Sequence, residues 1–280
     1  MKKQRVLNRK TRKPYISVTL IGILIITGIF GPLFSPYDPA ANSLTEKFLP
    51  PFFQEGGSFK HILGTDQLGR DILSRLIQGS RVSLIVAAAA ILIGCIVGTG
   101  LGVLAGYYGK GTSAVIMRLT DATLAFPSLL LALLLSLSIG TGLASAIIAI
   151  AFGMWAKYTR TIRSDVTVIA GMNYIEQARI MGAGNGRIIR KHILPNIKNQ
   201  VIVMATMDIS MAIMAESSLS FLGLSVVPPT ASWGQMIADG NAYFLRAWWV
   251  STFPTIATVL AVIAFRSFGE WVKERKGASR

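Results

Sequence analysis

Six apolar stretches dominate this sequence of 280 residues, and each is close to the roughly 20 residues that a helix needs to cross a bilayer. Hydrophobic residues make up 52% of the chain and charged residues only 15%, whereas an ordinary soluble domain carries roughly a quarter charged residues. The sequence therefore predicts an all-α integral membrane protein built as a six-span helical bundle. The spans are predicted at 16–34, 83–107, 119–139, 143–158, 201–222 and 247–268.

Basic residues are distributed unevenly between the segments that connect these spans. With the N-terminus in the cytoplasm, the inside segments hold 22 of the 28 lysines and arginines. The outside segments hold the other six, which are Lys47, Lys60, Arg70, Arg75, Arg81 and Arg246. Cytoplasmic loops of membrane proteins are enriched in lysine and arginine, so we expect both termini to be cytoplasmic. This placement accounts for the net charge of +15, which does not indicate a nucleic-acid partner.

The order of segments follows from these spans. We expect a cytoplasmic tail at 1–15, a first transmembrane helix at 16–34, an external loop at 35–82, a five-helix core at 83–270 with a cytoplasmic loop at about 159–200, and a cytoplasmic tail at 271–280. The first span is longer than the core of a secretory signal and lacks a small-residue cleavage site, so we expect it to be retained. From Asp71 the external loop has a helical period, which predicts either an amphipathic helix on the outer membrane surface or a lead-in to the second span.

Four glycines follow one another at intervals of four residues in the second predicted span: Gly94, Gly98, Gly102 and Gly106. They lie almost on one line of a helix, and glycines at this spacing let another helix approach closely. We therefore expect them to serve helix packing rather than to bind a ligand. The third and fourth spans are separated only by residues 140–142, which predicts a tight helical hairpin.

Two carboxylic acids interrupt the fifth predicted span, Asp208 and Glu216. Ionisable groups at membrane depth are costly and usually face a bundle interior or a watery path. Asp208, with Met204, Met207 and Met211, is our candidate for a translocation pathway, whereas Glu216 is nearer the external end, where an interfacial position is the alternative. Methionines at such intervals more often provide adaptable packing than metal ligands, so no metal site is predicted.

The predicted cytoplasmic loop is long, charged and well patterned. Residues 169–181 can form one helix with Glu176 and Arg179 on one face. The glycine-rich stretch 182–186 would end that helix, and a second helix would stop at Pro195. Such a corner suits the docking of another protein. The alternative is an ordinary loop that is attracted to acidic lipid headgroups by its basic residues.

The spacing within this loop resembles the EAA loop of ATP-binding-cassette importer permeases, whose pattern is Glu-Ala-Ala, three residues, Gly, nine residues, Ile-x-Leu-Pro. The chain departs from the pattern at Gln177 and His192, and the spacing is intact. The resemblance implies that the helix docks on an ATPase, with Glu176 orienting it, Gly182 forming its turn and Pro195 its return to the membrane. The coupling residues that it implies are Glu176, Ala178, Gly182, Ala183, Leu194 and Pro195.

Further segments resemble the dipeptide, oligopeptide and nickel permease family, and within that family they resemble the C-type subunit. These segments are 63–71, 126–130, 190–196, 216–224 with Pro228-Pro229, and 232–234. The resemblance implies one subunit of a heteromeric importer in a bacterial cell membrane. Its partners would be a homologous permease, two cytoplasmic ATPases that carry ATP and magnesium, and an external substrate-binding protein. The cargo would be peptides, nickel or a metal chelate, and this chain would bind no cofactor.

Common catalytic motifs are absent from the sequence. It contains no phosphate-binding Gly-x-x-x-x-Gly-Lys-Ser/Thr loop, no His-Glu-x-x-His zinc pair and no Gly-x-Ser-x-Gly nucleophile turn. We therefore expect a non-catalytic transmembrane subunit. The alternative is a secondary transporter or channel that uses Asp208 as a proton or cation site, although no internal repeat of the kind common in such carriers is evident.

Overall fold

The computed structural model describes residues 14–277. Most of the predicted N-terminal tail and the end of the predicted C-terminal tail, at 1–13 and 278–280, lie outside the described residues. The described helices are α1 Tyr15–Phe34, α2 Ile72–Tyr108, α3 Lys110–Leu124, α4 Ser128–Ile139, α5 Leu143–Ala170, α6 Asn173–Ile180, α7 Asn185–Ile188, α8 Leu194–Phe221, α9 Trp233–Asn241 and α10 Trp249–Gly277. A 3₁₀ turn at Leu44–Glu46 and a π-helical turn at Ile189–Ile193 complete the set, and no β-strand occurs within residues 14–277. The predicted all-α class is confirmed.

Four helical segments among the described residues are long and apolar enough to cross a membrane: α1, α2, α10, and the stretch Asn185–Phe221 that ends in α8. A fifth span results if α3 and α4 are taken together. The fourth predicted span, at 143–158, lies in α5, which is 28 residues long and is not among these apolar segments. The second half of α5 carries Lys157, Arg160 and Arg163.

The third predicted span is bent rather than straight. Helices α3 and α4 meet at 91° across a short break. The break contains Pro127, which has no backbone N–H to continue the helix and disfavours helical geometry at the residue before it. A short connection at Gly140 and Gly142, both with positive φ, then leads into α5, against which α4 packs.

The amphipathic segment that begins after Asp71 is the first part of α2, so it is a lead-in to the second span and not a separate surface helix. Asp71 caps this helix, because its carboxylate accepts hydrogen bonds from the backbone N–H and the hydroxyl of Ser74 at 2.8 and 2.7 Å. His61 approaches the same carboxylate, with Nδ1 at 2.9 Å. The cap thereby fixes the external loop to the start of the helix.

Helices α2 and α5 form the most extensive helix pair, and the four spaced glycines of α2 lie in their interface. A Cβ atom at Gly102 would be 2.8 Å from the Cβ of Ile162, and one at Gly106 would be 2.8 Å from the Cβ of Val166. Only glycine allows the two backbones to be this close. The neighbouring Gly100 faces open space, with nothing within 4 Å.

Candidate functional site

Residues 171–197 lie in the predicted cytoplasmic loop and form the first of two candidate sites, which we call the cytoplasmic corner after that prediction. Residues 169–181 do not form the single helix that we predicted, because α5 ends at Ala170 and the chain is extended at Met172, with ψ 141°. Helix α6 then starts in a new direction at Asn173. The break at Gly171 converts a straight continuation of α5 into a corner.

A Schellman motif ends α6 at Gly182. The N–H of Gly182 donates to the carbonyl of Arg179 at 2.9 Å, and the N–H of Ala183 donates to the carbonyl of Ala178 at 3.0 Å. This pair of bonds requires the residue just after the helix C-cap to be in the left-handed conformation. That residue is Gly182, which has φ +83°. Ala178 is buried and Ala183 packs on the core beneath, so the alanine and glycine spacing has a local structural reason.

A small apolar core holds the corner against the ends of α2 and α5. Its buried members are Val103, Tyr107, Ile162, Val166, Ile169, Ile175, Ile188, Ile193 and Ile197. The Tyr107 hydroxyl also donates to the side-chain oxygen of Asn185 at 2.9 Å. The Arg179 guanidinium lies 5.2 Å from the centre of the Tyr107 ring, so it interacts with α2. It does not pair with Glu176, the residue that we predicted on the same helix face.

The outer surface of the corner combines apolar side chains with an unpaired carboxylate. Ile180 and Met181 are each 81% exposed. Glu176 is exposed too, and its carboxylate forms no hydrogen bond or ion pair with a side chain or backbone group of residues 14–277. Neighbouring apolar side chains that are exposed beside a free charge form a surface suited to another protein.

The second arm of the corner contradicts our prediction that a helix stops at Pro195. Pro195 lies in the first turn of α8, which continues to Phe221. The π-helical turn before it explains this difference, since the N–H of Leu194 donates to the carbonyl of Ile189, five residues earlier. The wider turn gives room for a proline ring that would clash in a regular helix. Leu194 and Pro195 are both exposed.

The second candidate site is an ion pair between α5 and α8. The ammonium group of Lys157, on α5, lies 2.5 Å from the carboxylate oxygen Oδ1 of Asp208, on α8. Lys157 is 14 residues from the start of α5, which corresponds to about 21 Å along the helix. Lys157 lies at the end of the fourth predicted span, and the sequence alone does not indicate it as the partner of Asp208.

The methionines of α8 line the space next to this pair. Met204, Met207 and Met211 border a cavity of about 640 Å³ together with Lys157 and Asp208. Met204 is buried, whereas Met211 is 58% exposed. Within residues 14–277, no group of three or more histidine, cysteine or acidic side chains could hold a metal ion.

Glu216 occupies a different environment from Asp208. It is fully buried within the bundle. Its carboxylate accepts hydrogen bonds from the hydroxyls of Ser83 at 2.8 Å, Ser220 at 2.6 Å and Ser225 at 3.4 Å. These bonds join the C-terminal end of α8 to α2 and to the following loop, which indicates a structural role.

Two family models match the sequence. Residues 98–277 match the binding-protein-dependent transport system inner membrane component. Residues 9–51 match the N-terminal transmembrane domain of oligopeptide transport permease C. The two matches lie on either side of the segment that contains the cap of α2, and the longer one covers the corner and the ion pair.

Individual proteins are similar over most of their length. The chain is 40% identical to the di/tripeptide transport system permease protein DppC of Pseudomonas aeruginosa, over 90% of this chain and 83% of that protein. It is 38% identical to the glutathione transport system permease protein GsiD of Pectobacterium atrosepticum, over 90% of this chain and 82% of that protein.

A solved structure has the same fold. The inward-facing MetNI methionine ABC transporter contains a chain that aligns with a TM-score of 0.58 and 18% identity, over 72% of this chain and 95% of that one. The all-helical bundle is therefore of the type I ABC importer permease kind. Together, the long family match and the relatives at 38 to 40% identity place this chain in the family of binding-protein-dependent transport system inner membrane components, the permease subunits of ABC importers.

Proposed function

We propose that this chain is the C-type permease subunit of an ATP-driven importer of short peptides. Its relatives are named for di- and tripeptides and for glutathione, and none of the three similar proteins described above is named for nickel or a metal chelate. In this proposal the chain forms half of the translocation pathway and a homologous permease forms the other half.

Energy would enter through the cytoplasmic corner. Two partner ATPases would bind ATP and magnesium, and one of them would receive α6 in a surface cleft. The observation that carries this proposal is the exposure of Ile180 and Met181 on a corner that is otherwise fixed by a buried core. Such a corner can transmit a displacement to α5 and α8, because all three share that core. An external binding protein would deliver the peptide to the opposite side.

The orientation of the chain in the bacterial membrane is part of the same proposal. Docking on cytoplasmic ATPases requires the corner to be cytoplasmic, and this agrees with the excess of basic residues in that part of the sequence. Both termini would then be cytoplasmic.

The alternative is a carrier that works alone and uses Asp208 as a proton or cation site. Two observations count against it. The carboxylate of Asp208 already has a cationic partner in Lys157, and the family is one of importer subunits.

A photocross-linking experiment in the assembled transporter tests the docking proposal. A photoreactive benzoylphenylalanine at Met181 is expected to cross-link to an ATPase subunit. The same residue at Leu245, which is fully exposed at the other end of the bundle, should give no such product. An intact complex without an ATPase cross-link from position 181 or 180 would rule out docking through α6.

Uptake into proteoliposomes tests the transport proposal. We expect import of a dipeptide that requires ATP, the ATPases and the binding protein. Uptake that continues without ATP and collapses with the proton gradient would instead support the carrier.

A further inference from the structure

Lys157 and Asp208 lie where two cavities meet. The cavity of about 640 Å³ extends from the pair toward the cytoplasmic end, where Asn199, Arg266 and Lys273 line it. A second cavity of about 270 Å³ extends toward the external end, where Ser128, Ile150 and Ser218 line it. Lys157, Asp208 and Met211 border both cavities. A solute that moves from one cavity to the other along this face must pass the ion pair.

The two partners of the ion pair differ in burial. The side chain of Asp208 is 5% exposed and that of Lys157 is 55% exposed. The carboxylate is therefore fixed in the bundle, whereas the ammonium group is on a flexible stem that can swing into the cavity. The second carboxylate oxygen of Asp208, Oδ2, is buried and has no partner at hydrogen-bond distance among the described residues, and the hydroxyl of Tyr158 interacts with the same carboxylate. Asp208 can thus accept a further donor.

Charge balance restricts what can replace this pair. A buried charge without a partner is strongly destabilising, and more so at membrane depth. A simple cation that took Asp208 would, together with Lys157, leave a net positive charge at the site, and an anion that took Lys157 would leave the buried carboxylate of Asp208 without its partner. A molecule with one positive and one negative end can engage both residues and leave no net charge behind.

We propose that Lys157 and Asp208 bind the two charged ends of a short peptide, with Asp208 accepting hydrogen bonds from the α-ammonium group and Lys157 donating to the terminal carboxylate. This site rests on the peptide-import function proposed above. Without peptide the two residues bind each other and separate the two cavities. The flexible methionines beside them can adapt to side chains of different shapes, which suits a cargo class recognised by its ends.

Protection of a cysteine from alkylation by bound peptide tests this site. The binding protein is left out, because it selects peptides itself. The complex with the partner permease and the ATPases carries Met211→Cys in a Cys95→Ala background, which removes the single native cysteine of this chain. The cavity then holds this chain's one reporter thiol. Dialanine is expected to slow alkylation of this thiol several-fold. N-acetyl-dialanine amide has the same two side chains but no charged ends, and it should not slow the reaction.

The neutral double variant Lys157→Met with Asp208→Asn is expected to lose this protection. The matched control is Arg160→Met with Asp121→Asn, which removes an ion pair between α5 and α3. This pair is exposed, and neither residue lines either of the two cavities. The control should keep full protection. If the double variant does not assemble, Asp208→Asn alone removes the site for the ammonium group with little change in shape, and it should also lose protection.

Several results would overturn the proposal: equal protection with and without the ion pair, protection by the blocked peptide, or no protection by dialanine. ATP-dependent uptake of dialanine by the unaltered transporter is measured in parallel. Absence of uptake would contradict the peptide-import function, whereas normal uptake without protection that depends on the pair would contradict only this site.

Discussion

Gly182 is the residue on which the shape of the cytoplasmic corner depends most directly. Its φ of +83° is a left-handed conformation, and a Cβ atom there would meet nothing within 4 Å. Gly182→Ala therefore tests backbone strain alone, which costs about 1–2 kcal/mol for an L-residue. We expect the substitution to loosen the end of α6 and to lower ATP-dependent uptake, measured in proteoliposomes, while the complex still assembles.

Gly184 provides the control for Gly182. It is two residues further on, its φ is −66°, and a Cβ atom there would also meet nothing within 4 Å. Gly184→Ala should leave uptake close to that of the unaltered protein. An equal loss in the two variants would show that the left-handed turn is not the reason for the glycine at 182.

Glu216 allows a second test at the scale of the residue. Glu216→Leu would remove the acceptor for the buried hydroxyls of Ser83 and Ser220, and each unsatisfied buried polar group costs about 1–3 kcal/mol. We expect a clear fall in the thermal stability of the detergent-solubilised protein. Glu216→Gln keeps an acceptor oxygen and should be much closer to the unaltered protein. A leucine variant as stable as the glutamine variant would contradict the structural role.

The ion pair shows what the sequence could and could not reveal about single residues. Asp208 stands out because it is a carboxylate within an apolar stretch. Lys157 does not, because it lies at the end of the predicted span and only the observed length of α5, to Ala170, places it beside Asp208. Which of several basic residues faces a given carboxylate depends on helix ends and rotation, and a single sequence determines these poorly.

At the scale of the element, the pairing of α2 with α5 is the feature most open to test. Gly102→Val would place a branched side chain against Ile162 and Thr159, and overpacking of this kind typically costs about 1–3 kcal/mol. We expect a lower thermal stability in detergent. Gly100→Val, on the same helix but facing open space, is the matched control and should have little effect. Comparable losses would mean that the cost arises from helix propensity and not from the interface.

Elements with a strong local pattern were predicted well, and those shaped by neighbours were not. The glycine spacing of α2 and the short connection before α5 can be recognised from sequence alone. The 91° bend at Pro127 and the π-helical turn before Pro195 cannot, because a proline is compatible with a break, a bend or a first helical turn. Ile188 and Ile193 pack in the core beneath the corner, and the chain there runs from α7 through the π-helical turn into α8 without a break.

At the scale of the whole molecule, two apolar cores connect the candidate sites. One core lies within the membrane and joins α2, α4, α5, α8 and α10. The other lies under the corner and includes Ile162 and Val166 of α5 and Ile197 of α8. Lys157 is five residues from Ile162, on the same helix. We therefore expect a displacement of α6 to reach the ion pair through α5 and α8 as rigid elements.

The orientation of the molecule gives the last prediction. Single cysteines at Ile180 and Leu245, in a Cys95→Ala background, mark opposite ends of the bundle, and both positions are highly exposed. A membrane-impermeant maleimide should label position 245 and not 180 in intact spheroplasts, and the reverse in inverted vesicles. The excess of basic residues near the corner is the physical reason, because such segments are retained on the cytoplasmic side. Labelling of position 180 from outside would place the corner away from cytoplasmic ATPases and would remove the basis of the coupling proposal.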